Sequence, residues 1–301
     1  MPYVTTADHA QLYVKEWGPA SGRPVVLMHG WPLTADSWDD VALGLANAGY
    51  RAIAYDRRGF GRSDQPWQGY DYDTLADDLA SVIEQCDAEN AAIVGFSMCG
   101  GEVARYLSKH GTGNVSQAAL ISSVVPFMLK TADNPTGVDQ SVFDKMTAGM
   151  KDDRAAFMQT FAKQFYGVGF LSSPVSDAVL DAFFQSAMMA GLHPTLACAK
   201  AFATTDFRPD TSAFTVPTLI IHGTGDQTVP VDASAHQAAK LIPHARLIEY
   251  DGAPHGLLVT NKDDVLRDLL AFLGGDEVSA GEEIPATDRI DPTIAGLQPA
   301  Y

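Results

Sequence analysis

The sequence predicts an α/β fold in which a mostly parallel, doubly wound sheet carries an inserted set of helices. Short apolar runs at 25–28 and 91–96 are typical of strands that are buried on both faces of a parallel sheet. Helical patterns separate such runs, and this alternation is the signature of a doubly wound sheet with right-handed crossovers. From Pro126 to about residue 212 the pattern becomes helical only. We interpret that break as an inserted helical cap.

The predicted elements follow the chain in a regular order. Alternating residue polarity predicts a hairpin with strands at 2–6 and 11–17. The elements that follow outside the cap are strand 25–28, helix 37–48, strand 51–56, helix 73–86, strand 91–96, helix 98–110, strand 116–122, strand 216–222, a helix ending near 241, strand 246–250 and helix 262–273.

This order divides the chain into three parts. Residues 1–124 and 213–275 form the predicted core, and residues 125–212 form the cap. The cap is rich in Phe and Met, most of which we assign to its own packing and a few to a pocket, since pockets are lined mainly by apolar side chains. Residues 276–301 are acidic and contain Pro and Gly, so we expect an extended tail.

Composition limits the classes of partner. The 301 residues carry a formal net charge of −17, which argues against nucleic acid and anionic membrane surfaces as partners. No apolar run approaches the ~20 residues of a membrane span, and no signal peptide is recognisable. Three scattered cysteines favour neither a disulfide framework nor a zinc site, and they suit a reducing compartment. We therefore expect a cytoplasmic protein with a small-molecule substrate.

A serine lies at the sharpest predicted turn of the chain. Strand 91–96 runs directly into Ser97, and a helical pattern follows within two residues. Strand, tight turn and helix around a serine are the context of a nucleophile elbow, which exposes the hydroxyl at the carboxyl end of a strand. The usual pattern is Gly-x-Ser-x-Gly. Gly95 matches the first glycine, whereas Cys99 replaces the second.

A serine nucleophile needs a base and a group that orients the base. On this type of fold the three residues occur in the order serine, acid, histidine. Asp226 follows the strand at 216–222, and His255 follows the strand at 246–250. The carboxyl ends of parallel strands share one sheet edge. We therefore predict that Ser97 attacks, His255 transfers the proton, and Asp226 orients His255.

Other residues compete for these roles. His222 lies in or at the end of a strand and is interpreted as a core histidine, whereas His29 is interpreted as shaping its loop. Asp251 precedes a Gly-Ala-Pro turn and suits a turn residue, and Asp56 is expected to brace an arginine-rich loop. The remaining histidines are assigned to the surface or to packing: His9, His110, His193, His236 and His244.

The negative charge that develops on the substrate carbonyl oxygen needs preformed N–H donors. The elbow supplies the backbone N–H of Met98, the residue after the nucleophile. The loop after strand 25–28 supplies the second, and Trp31 is placed for it. We predict that its indole also walls the pocket; the alternative is an ordinary buried aromatic.

With these residues in place, the chain resembles the α/β-hydrolase superfamily. It resembles most closely the bacterial arylesterases and cofactor-free haloperoxidases, or perhydrolases, which include some γ-lactamases. The matching stretches are His29-Gly-Trp-Pro-Leu33, Tyr55-Asp-Arg-Arg-Gly-Phe-Gly-Arg-Ser63, Gly95-Phe-Ser-Met98, Thr205-Asp-Phe-Arg-Pro-Asp210, His222-Gly-Thr-Gly-Asp-Gln227 and Ala253-Pro-His-Gly256. The resemblance implies the same triad and oxyanion donors and no metal, haem or other cofactor. It also implies assembly into a homo-oligomer.

The resemblance further implies a substrate pocket and a reaction. The implied pocket residues are Trp31, Pro32, Phe127, Phe161, Phe165 and Phe202. A proline after the tryptophan resembles the efficient perhydrolases, in which peroxide attacks the acyl-enzyme and the peracid oxidises halide. We thus predict a serine hydrolase for small aryl esters with perhydrolase activity. The alternatives are a lactamase or amidase with the same triad, and a non-catalytic binding protein on this scaffold.

Cys99 departs from the family pattern, which has glycine there. A glycine lets the helix pack closely on the strand beneath it, so a cysteine is expected to change the elbow slightly. Because Cys99 is placed two residues into the helix, we expect its side chain to point back towards the sheet.

Overall fold

A computed structural model of the chain describes residues 2–169 and 172–275, whose strands form one 8-stranded sheet. The strands are β1 (Tyr3–Thr5), β2 (Gln11–Trp17), β3 (Pro24–Met28), β4 (Arg51–Tyr55), β5 (Ala91–Phe96), β6 (Val115–Ile121), β7 (Thr218–Gly223) and β8 (Arg246–Tyr250). The helices are α1 (Asp39–Asn47), α2 (Tyr72–Gln85), α3 (Cys99–His110), α4 (Gln140–Asp152), α5 (Arg154–Phe165), α6 (Asp177–Met189), α7 (Leu192–Thr204), α8 (Ala235–Leu241), α9 (Leu257–Thr260) and α10 (Lys262–Gly274). The predicted α/β class is confirmed.

The sheet order is β1-β2-β4-β3-β5-β6-β7-β8. Strands β1 and β2 pair antiparallel to each other, and β2 pairs antiparallel to β4. All other pairings are parallel, from β4 and β3 at one side to β7 and β8 at the other. Every residue of β5 is buried, as expected for a central strand that is covered on both faces. The carboxyl ends of β3 to β8 therefore form a single edge, here called the catalytic edge.

Two predicted helices begin differently in the structure. The helix predicted at 37–48 consists of a 3₁₀ turn, Ala35–Trp38, followed by α1. The Asp56 carboxylate accepts a hydrogen bond from the Ala35 N–H at 2.8 Å, which fixes the start of that turn. The helix predicted to end near 241 is likewise split, because the 3₁₀ turn Val231–Ala233 precedes α8.

Helices α4 to α7 lie between β6 and β7 in the chain and make up the segment that the sequence analysis assigned to a cap. Their buried side chains include Met158, Phe165 and Phe183, which form part of the continuous hydrophobic core. Ahead of α4, two isolated bridges join Leu129 to Val138 and Thr131 to Asn134, in a stretch where the sequence pattern indicated no strand. The predicted acidic tail, 276–301, lies outside the described residues.

Candidate active site

Ser97 occupies the turn between β5 and α3, with a left-handed backbone φ of 58°. Its N–H donates a hydrogen bond to the Ile121 carbonyl at 2.8 Å, so the neighbouring strand fixes the turn. Gly95 is required two residues earlier, because a Cβ there would lie 2.5 Å from the Cys99 carbonyl oxygen. A left-handed residue other than glycine is uncommon and is typical of strained functional turns.

Three side chains of the catalytic edge form a continuous hydrogen-bonded chain. The Oγ atom of Ser97 lies 2.9 Å from Nε2 of His255. The other ring nitrogen of His255, Nδ1, lies 2.6 Å from Oδ2 of Asp226. All three residues are buried, with Ser97 only 5% exposed. The ring of His255 packs between Phe96 and Phe165, at centroid distances of 5.3 Å and 4.8 Å, which fixes its orientation.

Asp226 is held in its ionised form. Burial by itself raises the pKa of this carboxyl. The charge of His255 and the hydrogen bonds from His222 and His255 outweigh that effect and hold the pKa well below its usual range. The second carboxylate oxygen, Oδ1, accepts hydrogen bonds from the backbone N–H groups of Thr228 and Val229, both at 2.8 Å. Asp226 therefore remains a charged acceptor for Nδ1–H of His255.

The two predicted oxyanion donors lie in loops that flank Ser97. Met98 and Trp31 are both buried, and neither backbone N–H has an acceptor among the described residues. The indole Nε1–H of Trp31 donates to the Thr195 carbonyl at 3.0 Å, which ties this loop to the helical segment. A buried unpaired N–H is costly, so two of them beside Ser97 point to a ligand oxygen as their partner.

His29 anchors the Trp31 loop from below. Its Nε2 accepts a hydrogen bond from the Arg57 N–H at 2.9 Å, and its Nδ1 donates to the Gly30 carbonyl at 2.9 Å. Burial, together with the charge of Arg57, lowers the pKa of His29 to about 3. The ring is therefore neutral at working pH and acts as a fixed structural link, as its interpretation as a loop-shaping residue requires.

Cys99 connects the elbow helix to the same loop. Its Sγ lies 2.7 Å from the His29 carbonyl oxygen and also contacts the Arg57 guanidinium. Arg57 in turn donates to the His29 carbonyl at 2.9 Å and pairs with Glu102 of α3. The expectation that Cys99 points back at the sheet is thus corrected: its side chain reaches under the oxyanion loop. The thiol is fully buried, which prevents a nucleophilic role.

An apolar cavity of about 450 Å³ opens at Ser97. The wall is formed by Trp31, Val124, Met128, Val138, Val142, Phe143, Lys145, Met146, Phe157, Phe161, Gln164, Phe202, Gln227, Thr228, Val229 and Pro230. The rings of Phe161 and Phe202 meet the Trp31 ring edge to face, at 5.3 Å and 5.7 Å. Three of the six pocket residues that the sequence indicated therefore lie on this wall.

The other three lie elsewhere. Phe127 packs under the Arg208 guanidinium at 5.1 Å. Phe165 packs on His255 and lines a separate cavity of about 300 Å³. Pro32 is buried directly after Trp31 and does not reach the wall. A helical pattern predicts a helix but not which neighbour each aromatic ring will face, so these three assignments to the pocket wall were wrong.

Sequence reasoning also missed part of the wall. Residues 227–230 follow Asp226 directly, and four consecutive side chains there face the cavity. Their position next to a predicted catalytic residue was the available signal. Within residues 2–169 and 172–275, no group of His, Cys, Asp and Glu has an arrangement that could hold a metal ion. In the same part of the chain, no helix is both long and apolar enough to cross a membrane.

Comparison with known proteins agrees with this geometry. The family model described as the alpha/beta hydrolase fold matches residues 23–262. A non-heme chloroperoxidase of Kitasatospora aureofaciens is 42% identical over 275 residues, covering 91% of this chain and 99% of the relative. A bifunctional esterase/perhydrolase of Acinetobacter calcoaceticus is 40% identical, with the same two shares covered.

A solved structure gives the same result. The bromoperoxidase from Bacillus anthracis superposes with a TM-score of 0.87 at 40% identity, covering 90% of this chain and 99% of that one. Sequence, topology and active-site geometry lead to one conclusion: this chain belongs to the α/β-hydrolase-fold family.

Proposed function

We propose that this chain is a serine hydrolase that cleaves small carboxylic esters, aryl esters among them, through an acyl-enzyme on Ser97. One observation carries the proposal. The hydrogen-bonded chain from Ser97 through His255 to Asp226 ends at an apolar cavity, with two unpaired backbone N–H groups beside the hydroxyl. The relatives named as an esterase/perhydrolase and as chloroperoxidases support the same chemistry.

The reaction begins when Ser97 Oγ attacks the ester carbonyl carbon while Nε2 of His255 takes the hydroxyl proton. The carbonyl oxygen becomes an oxyanion that accepts hydrogen bonds from the N–H groups of Trp31 and Met98. Each such donor is worth ~3–4 kcal/mol in the transition state. Asp226 stabilises the imidazolium that forms. His255 then returns the proton to the leaving alkoxide or phenoxide, which leaves as an alcohol or phenol.

The acyl-enzyme is released by a second nucleophile. Water attacks the acyl carbon, His255 takes its proton, and the carboxylic acid departs as Ser97 recovers its hydroxyl. Hydrogen peroxide in place of water yields a peracid, with no change in the enzyme's own balance of atoms. The carbonyl oxygen of Trp31 accepts no hydrogen bond from any described residue, so it is free to accept one from peroxide. The released peracid then oxidises halide in solution.

The apolar wall selects the acyl and alcohol groups. A cavity of about 450 Å³ accommodates a short acyl chain together with an aromatic ring, and its apolar side chains favour uncharged esters. In the described part of the chain the cysteines are buried and unpaired, which fits our proposal that the enzyme works in the reducing cytoplasm.

The test is hydrolysis of p-nitrophenyl acetate by the wild type and by Ser97→Ala. We expect the variant to lose at least ~10⁴-fold in kcat, while Ser81→Ala, a serine in α2 that bonds only its own helix, keeps the wild-type rate. Equal rates for Ser97→Ala and wild type would contradict the proposal. For perhydrolysis, the assay contains acetate, peroxide, bromide and a halogen acceptor. Absence of bromination would restrict the activity to ester hydrolysis.

A further inference from the structure

We propose that His222 is a positioning residue that holds the acid loop, residues 226–230, and shares the Asp226 carboxylate with His255. The inference rests on the proposed function, because it assigns a second imidazole to the carboxylate of that triad. His222 had been interpreted only as a core histidine. It does not touch the substrate cavity, so its effect on the reaction passes through Asp226.

The hydrogen bonds of His222 define its tautomer. Its Nε2 lies 2.8 Å from the Val229 carbonyl oxygen, which can only accept, so Nε2 carries the proton. The same nitrogen lies 3.3 Å from Oδ2 of Asp226. The ring is fully buried at the end of β7, and its Nδ1 has no hydrogen-bond partner among the described residues. A neutral imidazole with one outward N–H, directed at the acid loop, is the result.

These contacts close a ring of three residues. Val229 donates its N–H to Oδ1 of Asp226 at 2.8 Å, and its carbonyl accepts from His222. The carboxylate and the imidazole thereby hold the same peptide segment from opposite ends. Four residues of this segment, 227–230, also line the substrate cavity. His222 therefore fixes both the acid and one wall of the pocket.

The second consequence is electrostatic. Oδ2 of Asp226 accepts from His255 at 2.6 Å and has the His222 N–H pole 3.3 Å away. A donor beside a carboxylate stabilises its charge and makes it a weaker partner for a neighbouring cation. Among the described residues, the titratable side chains in contact with Asp226 are His222 and His255. Those packed on His255 from other elements, Phe96 and Phe165, carry no charge. Loss of the His222 N–H therefore makes His255 more basic.

The experiment compares His222→Leu with His222→Gln. Leucine removes the N–H, whereas the glutamine side-chain amide can place a donor near the position of Nε2. We expect His222→Leu to lower kcat about tenfold and to move the acid limb of the kcat/KM profile to higher pH by about half a unit. We expect His222→Gln to return that limb to its wild-type position. His244→Gln is the matched control, because His244 also bonds a backbone carbonyl, that of Val216 at 3.1 Å, but lies away from the triad.

An unmoved acid limb in His222→Leu would overturn the inference, even if the variant were slower or less stable, since that result describes packing alone. A second measurement needs no variant. Nitrogen-15 NMR of the wild type should show His222 as a neutral Nε2–H tautomer throughout the titration of His255, and an Nδ1–H tautomer would equally overturn it. Neither failure touches the proposed function, which depends on Ser97→Ala.

Discussion

The catalytic edge and the cap wall of the cavity are built by different means. At the edge, Ser97, Asp226 and His255 come from three strand ends, and hydrogen bonds of 2.9 Å and 2.6 Å join their side chains. On the cap side the contacts are between aromatic rings, such as Phe161 and Phe202 against Trp31. Directional hydrogen bonds tolerate little displacement, whereas apolar walls tolerate changes of shape. We therefore expect changes at the edge to affect kcat and changes in the cap to affect substrate choice.

The largest effect should come from Asp226→Asn. The substitution keeps the size of the side chain but removes the charge that stabilises the imidazolium of His255 and fixes its tautomer. We expect kcat to fall ~10⁴-fold, as the loss of an orienting acid does in a triad. Asp251→Asn, which changes an exposed acid in the turn before His255, should leave kcat unchanged in the p-nitrophenyl acetate assay. A loss of less than tenfold in Asp226→Asn would mean that another group orients the imidazole.

A smaller effect should separate the two kinds of cap aromatic. Phe161 and Phe127 are 8% and 7% exposed, so truncating either should cost a similar free energy of unfolding, ~3 kcal/mol or more. Only Phe161 lines the cavity at Ser97. We expect Phe161→Ala to raise the preference for long over short acyl chains about tenfold, and Phe127→Ala to leave it unchanged. Competition between p-nitrophenyl esters of increasing chain length measures this, and equal shifts would remove the distinction.

Cys99→Gly tests the layer beneath the edge. The substitution removes the thiol contact with the His29 carbonyl but leaves the bond from Arg57 to the same oxygen. Glycine in a helix also costs ~1 kcal/mol. We expect the free energy of unfolding in urea to fall by ~1–2 kcal/mol, while kcat/KM stays at the wild-type value or rises. A large loss of kcat without further loss of stability would show that the cysteine itself holds the oxyanion loop.

His236 provides the smallest effect and lies outside both regions. Hydrogen bonds with Glu249 and Asp232 raise the pKa of this surface histidine above its usual value. The stabilisation is therefore complete below the unfolded pKa of ~6.5 and disappears as pH rises through the higher folded value. His236→Gln should be less stable than wild type in acid and equal to it in alkali, with unchanged kcat. Thermal unfolding as a function of pH measures the difference, and a constant offset would contradict it.

The sequence predicted the edge well because its determinants are local. Strand ends follow from apolar runs, and the order serine, acid, histidine assigns Ser97, Asp226 and His255 to loops that a parallel sheet brings to one side. Side-chain direction in the cap depends on how helices pack, which the helical period does not contain. Phe161 and Phe127 illustrate this, because only the structure distinguishes them. For the same reason the contact of Cys99 with His29 and that of His222 with Asp226 could not be derived from spacing.

The most direct test of the account is to trap the acyl-enzyme. Wild-type protein is mixed with p-nitrophenyl acetate, quenched in acid within the first turnovers and digested for mass spectrometry. We predict one acetyl group on the peptide that contains Ser97, and none on that peptide from Ser97→Ala. Steady turnover with no acetyl group on Ser97, or an acetyl group on another residue that persists in Ser97→Ala, would contradict the central claim that the edge acts through this serine.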